Sequence, residues 1–414
     1  MRSARRLPLV TGTLLGMATG RDPLFDDVDR TDVTPSSHQE STFEFLNRIA
    51  GDYWEHPRSL MQEWSNHIED DTDYTDLRQR FRSRDDEQFR SAFLELYLHE
   101  SLIRAGYTVT IHLTVEGTTA RPDFLAERAG EQMYIEAIAP GSTSAAKAAT
   151  QRRAVLFDTV NRLDDPNFLL SLEDLVEGPR PPTAARLRAD MRRWLAGLDP
   201  DQPWDFESAP SRQWQDDGWS VTFKAIPIRP KARGHRANSR AIGVYGHTGV
   251  DWIDDAPAIR KALITKHHEY GDLNAPFVIA VGTYIHDTDR WHTTNAMYGA
   301  AAIAWSEGPD GEMATRQVRQ PDGYFGVPPN WQHRNVSGVL LVNQLMPHHL
   351  QRAEVTLWRH PNPTHVLPEE LGLPAHAVAF DAGKLREIAP ASIAEDFFGL
   401  PNPWPPGEPW PDEN

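Results

Sequence analysis

Two acidic residues, Asp123 and Glu136, stand in runs that otherwise predict β-strands. Asp123 follows a proline at the start of one short run, and Glu136 lies between Ile135 and Ala137 in the next. An acid inside an apolar strand is costly to bury unless it is paired, hydrogen-bonded or bound to a cation. A hairpin that returns through Gly130 can bring the two carboxylates side by side, where they raise each other's pKa unless a divalent ion neutralises them. Oxygen ligands of this kind suit Mg²⁺ or Mn²⁺, so the pair predicts a metal site.

A helix and a three-stranded meander are predicted to position these acids. Residues 90–106 are apolar at helical spacing and end on a glycine, residues 108–112 alternate with period two, and two further β-rich runs follow a turn at Glu116-Gly117. Two glutamates of the helix compete for a place at the metal. Glu100 shares the face of the main apolar stripe, whereas Glu95 lies on the neighbouring side.

The segment from residue 90 to residue 140 resembles the core of the PD-(D/E)XK nuclease superfamily. Pro122-Asp123 stands at the "PD", and Glu136-Ala137-Ile138 stands at the "(D/E)XK". The resemblance implies a restriction-endonuclease-like fold, a Mg²⁺ or Mn²⁺ cofactor, and metal-dependent hydrolysis of phosphodiester bonds in nucleic acid, with DNA as the expected substrate. It implies Asp123 and Glu136 as metal ligands. It favours Glu95 as the helix acid, because the family places that acid about three turns before the glycine-aromatic end of the helix.

The motif is incomplete, because Ile138 occupies the position of its lysine. Some members of the family supply this lysine from a later helix, and Lys261 and Lys266 lie on a helix predicted before Gly271. At about 100° per residue, Lys261 falls opposite the inward stripe of that helix and Lys266 falls at the edge of the stripe. Lys147 is nearer in sequence but has no predicted direction. Lys266 is therefore the predicted catalytic lysine.

An alternative function remains open at the level of sequence. A catalytically inactive nuclease-like fold could bind nucleic acid or a protein partner, and both the missing lysine and the acidic composition favour this alternative. The chain of 414 residues has a net charge of −17, whereas phosphate binding normally requires a basic surface. Local phosphate contacts are predicted instead, at Arg152 and Arg153 in the helix that follows the motif and at Lys231, Arg233 and Arg236 in a basic loop.

Several reaction classes lack their signatures in this sequence. The chain contains no cysteine, which excludes thiol nucleophiles, disulfides and cysteine-based zinc sites. It also lacks the G-x-S-x-G, P-loop and H-E-x-x-H motifs. The pairs His267-His268 and His348-His349 are predicted to be structural, because adjacent side chains on a helix or strand point in different directions.

The expected fold class is α/β, with a mixed central sheet flanked by helices. Residues 1–41 are predicted to be a disordered or targeting segment, and residues 42–414 a single elaborated domain. Its core is expected at about 87–140 and 256–342, with an insertion at about 141–255 and a proline-rich C-terminal extension. No stretch approaches the ~20 apolar residues of a membrane span, so we expect a cytoplasmic protein without a membrane partner. The sequence leaves its oligomeric state open.

Overall fold

The computed structural model describes residues 20–115, 120–203, 205–234, 240–245, 254–271, 273–307, 313–381 and 384–410. The helices in these ranges are α1 (Thr42–Arg48), α2 (Asp52–Ser65), α3 (Asp71–Phe81), α4 (Asp86–Arg104), α5 (Ser144–Asn161), α6 (Ala184–Leu195), α7 (Ala256–His267), α8 (Trp291–Tyr298) and α9 (Ala394–Phe398). None of these described helices is long and apolar enough to cross a membrane.

The strands in the described residues are β1 (Thr108–Ile111), β2 (Phe124–Arg128), β3 (Glu131–Ile138), β4 (Phe168–Val176), β5 (Ser211–Asp216), β6 (Trp219–Pro227), β7 (Ile242–Tyr245), β8 (Phe277–Thr283), β9 (Ala301–Glu307), β10 (Met313–Arg319), β11 (Gly326–Val327), β12 (Asn330–Trp331), β13 (Gly338–Asn343), β14 (Glu354–Arg359), β15 (His376–Asp381) and β16 (Lys384–Ile388).

A mixed sheet lies at the centre of the fold, as predicted. Eight strands of the described chain form it in the order β1-β2-β3-β8-β13-β14-β15-β16. The predicted meander β1-β2-β3 is antiparallel, and β3, β8 and β13 run parallel to one another. Every residue of β8 and of β13 is buried, because helices or loops cover both faces of these central strands. That double burial explains their continuous apolar sequences.

The two faces of the sheet have separate apolar cores. Phe124 and Ile135 pack in the core that contains α1 to α4, whereas Leu125 and Tyr134 pack in the core that contains α7 and α8. This division follows from the alternation of side chains along a strand. Successive side chains of β2 and β3 therefore point alternately towards α4 and towards α7.

Residues 141–255, the segment predicted to be an insertion, contain a second sheet. Its four described strands are ordered β5-β6-β4-β7, and α5 and α6 pack on it around an apolar cluster that includes Phe168, Leu187 and Phe223. The segment leaves the main sheet after β3 and returns at α7. The insertion therefore separates Glu136 from Lys266 in sequence without interrupting the central strands.

Residues 20–41 are packed, contrary to the expectation that residues 1–41 lack a fixed structure. Leu24 is completely buried in the core on the α4 side. The Arg21 guanidinium donates to the Ile68 carbonyl at 2.6 Å, and Asp32 forms an isolated bridge with Ile49. A few apolar side chains, and arginines that donate to carbonyls distant in sequence, hold this segment in place. The segment contains no continuous apolar run, so its order could not be predicted from hydrophobic patterning. Residues 1–19 lie outside the described ranges.

We expect Leu24→Ala to lower the free energy of unfolding by about 2–5 kcal/mol, the usual cost of removing a fully buried leucine side chain. The matched control is Val28→Ala in the same segment, because Val28 is 54% exposed and its removal should have little effect. Chemical denaturation measures both variants. Equal stabilities would show that residues 20–41 are not ordered in solution.

Candidate active site

The β2–β3 hairpin places Asp123 and Glu136 opposite each other. Phe124 pairs with Ile135 in the antiparallel register, so Asp123 and Glu136 occupy the next opposed positions, on the α7 side of the sheet. Asp123 directly precedes β2, and its Oδ2 atom accepts a hydrogen bond from the Ala137 backbone N–H at 2.7 Å. The aspartate thus caps the end of the hairpin beside the glutamate, as the sequence predicted.

Lys266 on α7 contacts the second acid of the pair. Its Nζ atom lies 2.6 Å from Glu136 Oε1, and the Glu136 side chain is only 4% exposed. Lys266 also lies 3.1 Å from Glu269 Oε2. The Tyr270 hydroxyl donates a hydrogen bond to the other oxygen of Glu136. Both oxygens of Glu136 are therefore held from the α7 side, and Lys266 lies at the inward edge of its helix as predicted.

Burial is the largest influence on the two acids of this cluster. Burial raises the pKa of Asp123 to about 8, with further contributions from the Glu136 and Glu95 carboxylates. Burial also raises the pKa of Glu136, although hydrogen bonds from Lys266 and Tyr270 act against it. Burial acts to lower the pKa of Lys266, but the Glu136 and Glu269 carboxylates outweigh it and the pKa is raised. The single nearby lysine thus does not offset the effect of burial on the pKa of Asp123.

The two candidate helix acids have different surroundings. Arg80 on α3 binds both oxygens of Glu95, at 2.5 and 2.6 Å, and Glu95 contributes to the raised pKa of Asp123. Glu100 is 1% exposed and contacts His67 at 2.7 Å and Arg104 at 2.5 Å. Glu95 is therefore the helix acid that acts on Asp123, whereas Glu100 belongs to a different ion-pair cluster.

His112, a residue that the sequence did not single out, lies beside Asp123. Its Nε2 atom is 3.8 Å from Asp123 Oδ1, and its Nδ1 atom is 3.0 Å from Asp73 Oδ1. The backbone of His112 has a φ of +50°, which is unusual for a residue other than glycine. His112, Arg80 and Glu95 line a small opening of about 20 Å³. Arg80 is distant from Asp123 in sequence, and no motif marks His112 although it lies in the predicted meander, so spacing alone could not identify either residue.

Among the described residues predicted to bind nucleic acid, none has a recorded contact with this cluster. Arg152 contacts Glu177, and Arg153 lies 3.8 Å from the same carboxylate. Arg233 donates to the Ile228 and Pro200 carbonyls and to Asp201, so its contacts are structural. The acid-rich composition provides these arginines with carboxylate partners nearby. Lys231 is exposed in a short helical turn, and Arg236 lies outside the described residues.

The Asp123–Glu136 donor set fits a divalent cation. Mg²⁺ commonly takes one or two protein carboxylates and completes its shell with water and phosphate oxygens. The raised pKa of Asp123 marks the negative charge that such an ion would neutralise. Asp123 and Glu136 would hold the ion, with Glu95 behind Asp123. Within the described ranges, no group of three or more His, Asp or Glu side chains is arranged as a metal site.

No family model, curated protein or solved structure matches this chain. The chemical assignment of the site therefore depends on the residues described above and on their contacts.

The raised pKa of Asp123 predicts how stability changes with pH in the absence of divalent ions. The pKa in the fold, about 8, is above the ordinary value of 3.8. The fold therefore binds this proton more tightly than the unfolded chain, and the resulting stability is lost as the pH rises from about 4 to 8. We expect Asp123→Asn to be more stable than the wild type at pH 9, by on the order of 2 kcal/mol.

Denaturation curves collected from pH 5 to pH 9 in a chelator measure this difference. Asp27→Asn is the matched control, because it removes the same charge from an exposed position. If wild type, Asp123→Asn and Asp27→Asn lose stability in parallel, Asp123 does not carry the raised pKa.

Proposed function

We propose that this chain hydrolyses phosphodiester bonds in nucleic acid, with DNA as the expected substrate, in a reaction that depends on Mg²⁺ or Mn²⁺. We further propose that the site is a divergent PD-(D/E)XK site in a restriction-endonuclease-like core. The contact of 2.6 Å between Lys266 and Glu136 carries this proposal. Through this contact α7 supplies a lysine to Glu136. On β3, the strand of Glu136, Ile138 occupies the position of the motif lysine.

Asp123 and Glu136 are the proposed metal ligands, and each is oriented by a fixed donor. The Ala137 N–H orients Asp123, and the Tyr270 hydroxyl orients Glu136. When bound, a divalent ion stabilises negative charge at phosphate and lowers the pKa of water. Ligands that the fold already orients do not have to reorganise during the reaction, which lowers its activation free energy.

Lys266 acts in this proposal as a fixed positive charge. The Glu136 and Glu269 carboxylates raise its pKa, so its amino group remains protonated at neutral pH and cannot accept a proton. It can donate a hydrogen bond to a phosphate oxygen or orient the attacking water. Its exposed fraction of 24% leaves it partly accessible to a substrate that approaches the site.

A binding module without catalysis is the second candidate function. It is favoured by the partners that the acids already have, since Arg80 neutralises Glu95 and both oxygens of Glu136 are occupied. In such a protein these contacts would stabilise the fold and would not respond to divalent ions.

A cleavage assay distinguishes the two functions. Plasmid, linear duplex and single-stranded DNA are incubated with the purified protein in Mg²⁺, in Mn²⁺ or in a chelator. The nuclease proposal predicts metal-dependent cleavage that is lost in both Asp123→Asn and Glu136→Gln. Binding without cleavage under all conditions would support the binding module, and cleavage that survives both substitutions would arise elsewhere.

For Lys266→Ala we expect cleavage to slow by roughly a hundredfold or more, the range for loss of one electrostatic or general-acid contact in an active site. Lys261→Ala is the matched control, because Lys261 is exposed on the same helix and should be dispensable. Single-turnover rates at saturating DNA measure the effect, and calorimetry shows whether Mn²⁺ affinity is preserved. Equal rates for wild type and Lys266→Ala would exclude a catalytic role for this lysine.

A further inference from the structure

A cleft opens at the carboxyl ends of the parallel strands β3 and β8. It has a volume of about 310 Å³ and lies between the start of α4, the loop after β3, the start of α7 and the segment that follows β8. The carboxyl end of parallel strands is where ligands commonly bind in α/β proteins, because the loops diverge there. A volume of this size suits a small ligand or a segment of a larger one.

Arg90 is the cation that lines this cleft. Its guanidinium carbon lies over the Tyr284 ring, 4.3 Å from the ring centroid, in a cation–π contact that restricts the position of the group. Its Nε atom is buried and donates no hydrogen bond within the described residues. A buried N–H without an acceptor is unfavourable, so this atom is a donor that a ligand in the cleft could satisfy.

The acids of the cleft do not neutralise Arg90. Glu87, one helical turn earlier, accepts from the Ser142 backbone N–H at 2.7 Å and contacts Lys147 at 2.7 Å. Asp255 also lines the cleft, but the ion pair that Glu87 forms among the described residues is with Lys147, and no described ion pair joins either acid to Arg90. The guanidinium of Arg90 is therefore available to an anion from solution.

We propose that Arg90 binds a phosphate group of the nucleic acid in this cleft, at a distance from the bond that is cleaved. A planar guanidinium matches the oxygens of a phosphate in a bidentate arrangement, and the contact with Tyr284 reduces the entropy lost when that arrangement forms. This inference rests on the proposed function, because it assigns the ligand as a second part of the same substrate.

The position of the cleft sets the expected spacing. The loop that lines it begins at Ala139, three residues beyond Glu136 on β3, which corresponds to about 10 Å at ~3.3 Å per residue. Arg90 should therefore contact a phosphate near the scissile one but distinct from it, either internal or at the end of a strand.

The test measures binding in a chelator, where no cleavage occurs. Short duplexes carry a fluorescent label, and single phosphates are replaced in turn by neutral methylphosphonates. A second pair of duplexes differs only in a 5′-phosphate or 5′-hydroxyl end. Each probe is titrated with wild type, Arg90→Ala, Arg90→Lys and the control Arg162→Ala, which removes an exposed arginine at the far end of α5. Melting temperatures establish that each variant is folded.

We expect Arg90→Ala to weaken binding about tenfold and to reduce the slope of log affinity against log salt by about one. Arg90→Lys should bind with intermediate affinity, because it keeps the charge but loses the bidentate geometry. One methylphosphonate position should weaken the wild type and have no effect on Arg90→Ala. That position identifies an internal phosphate, whereas dependence on the 5′-phosphate identifies a strand end.

Equal affinities, salt slopes and substitution patterns for wild type and folded Arg90→Ala would overturn the phosphate site at Arg90. That outcome leaves the proposed function intact if the wild type cleaves DNA with metal. Binding that depends on Arg90 in a protein without cleavage would overturn the proposed function and retain this site. Failure of the wild type to bind any probe would overturn the site at Arg90, and failure of the wild type to cleave DNA with metal as well would overturn the proposed function.

Discussion

The burial of two adjacent carboxylates is the constraint on which the rest of the site depends. Asp123 and Glu136 meet at the end of a hairpin, and burial raises the pKa of both. Hydrophobic residues at these positions would be less costly for the fold. The contacts to Ala137, Lys266 and Tyr270 offset the penalty only in part. A divalent ion would remove much of the remaining free-energy cost of burying the two carboxylates. The same buried acids would therefore both destabilise the metal-free fold and bind the metal in the proposed reaction.

The sheet topology explains how distant residues reach this pair. β3 is the last strand of the antiparallel meander and the first of the parallel strands, so the chain must leave the sheet after Glu136 and return to form β8. α7 precedes β8 and covers the same face as the two acids, which places Lys266 against Glu136. The second sheet occupies the connection between β3 and α7. An insertion between β3 and α7 lengthens the connection between them but need not change the direction in which α7 runs. Lys266 can therefore still contact Glu136.

Local sequence patterns predicted the helices and strands of the core, whereas the features that were not predicted depend on tertiary contacts. The period-two segments of the meander and the continuous apolar runs of β8 and β13 identify strands because burial alone dictates those patterns. The inward apolar stripe of α7 likewise reflects burial, and it predicted that Lys266 lies at the edge of that stripe. Residues 20–41 were misjudged, since only distant partners order them. Arg80 and His112 were missed because their roles arise from contacts across α3, α4 and β1. The contact of Tyr270 was not predicted, because its ring packs in the core as an apolar side chain would while its hydroxyl binds Glu136.

The most direct measurement of the central claim is anomalous diffraction from crystals of the protein soaked in Mn²⁺. The account predicts an anomalous peak between the carboxylates of Asp123 and Glu136, at oxygen-ligand distances of about 2.0–2.6 Å. The peak should be absent from crystals of Glu136→Gln that are soaked in the same way. Wild-type crystals that show Lys266 and Tyr270 on Glu136, and no peak beside Asp123 at saturating Mn²⁺, would contradict the account.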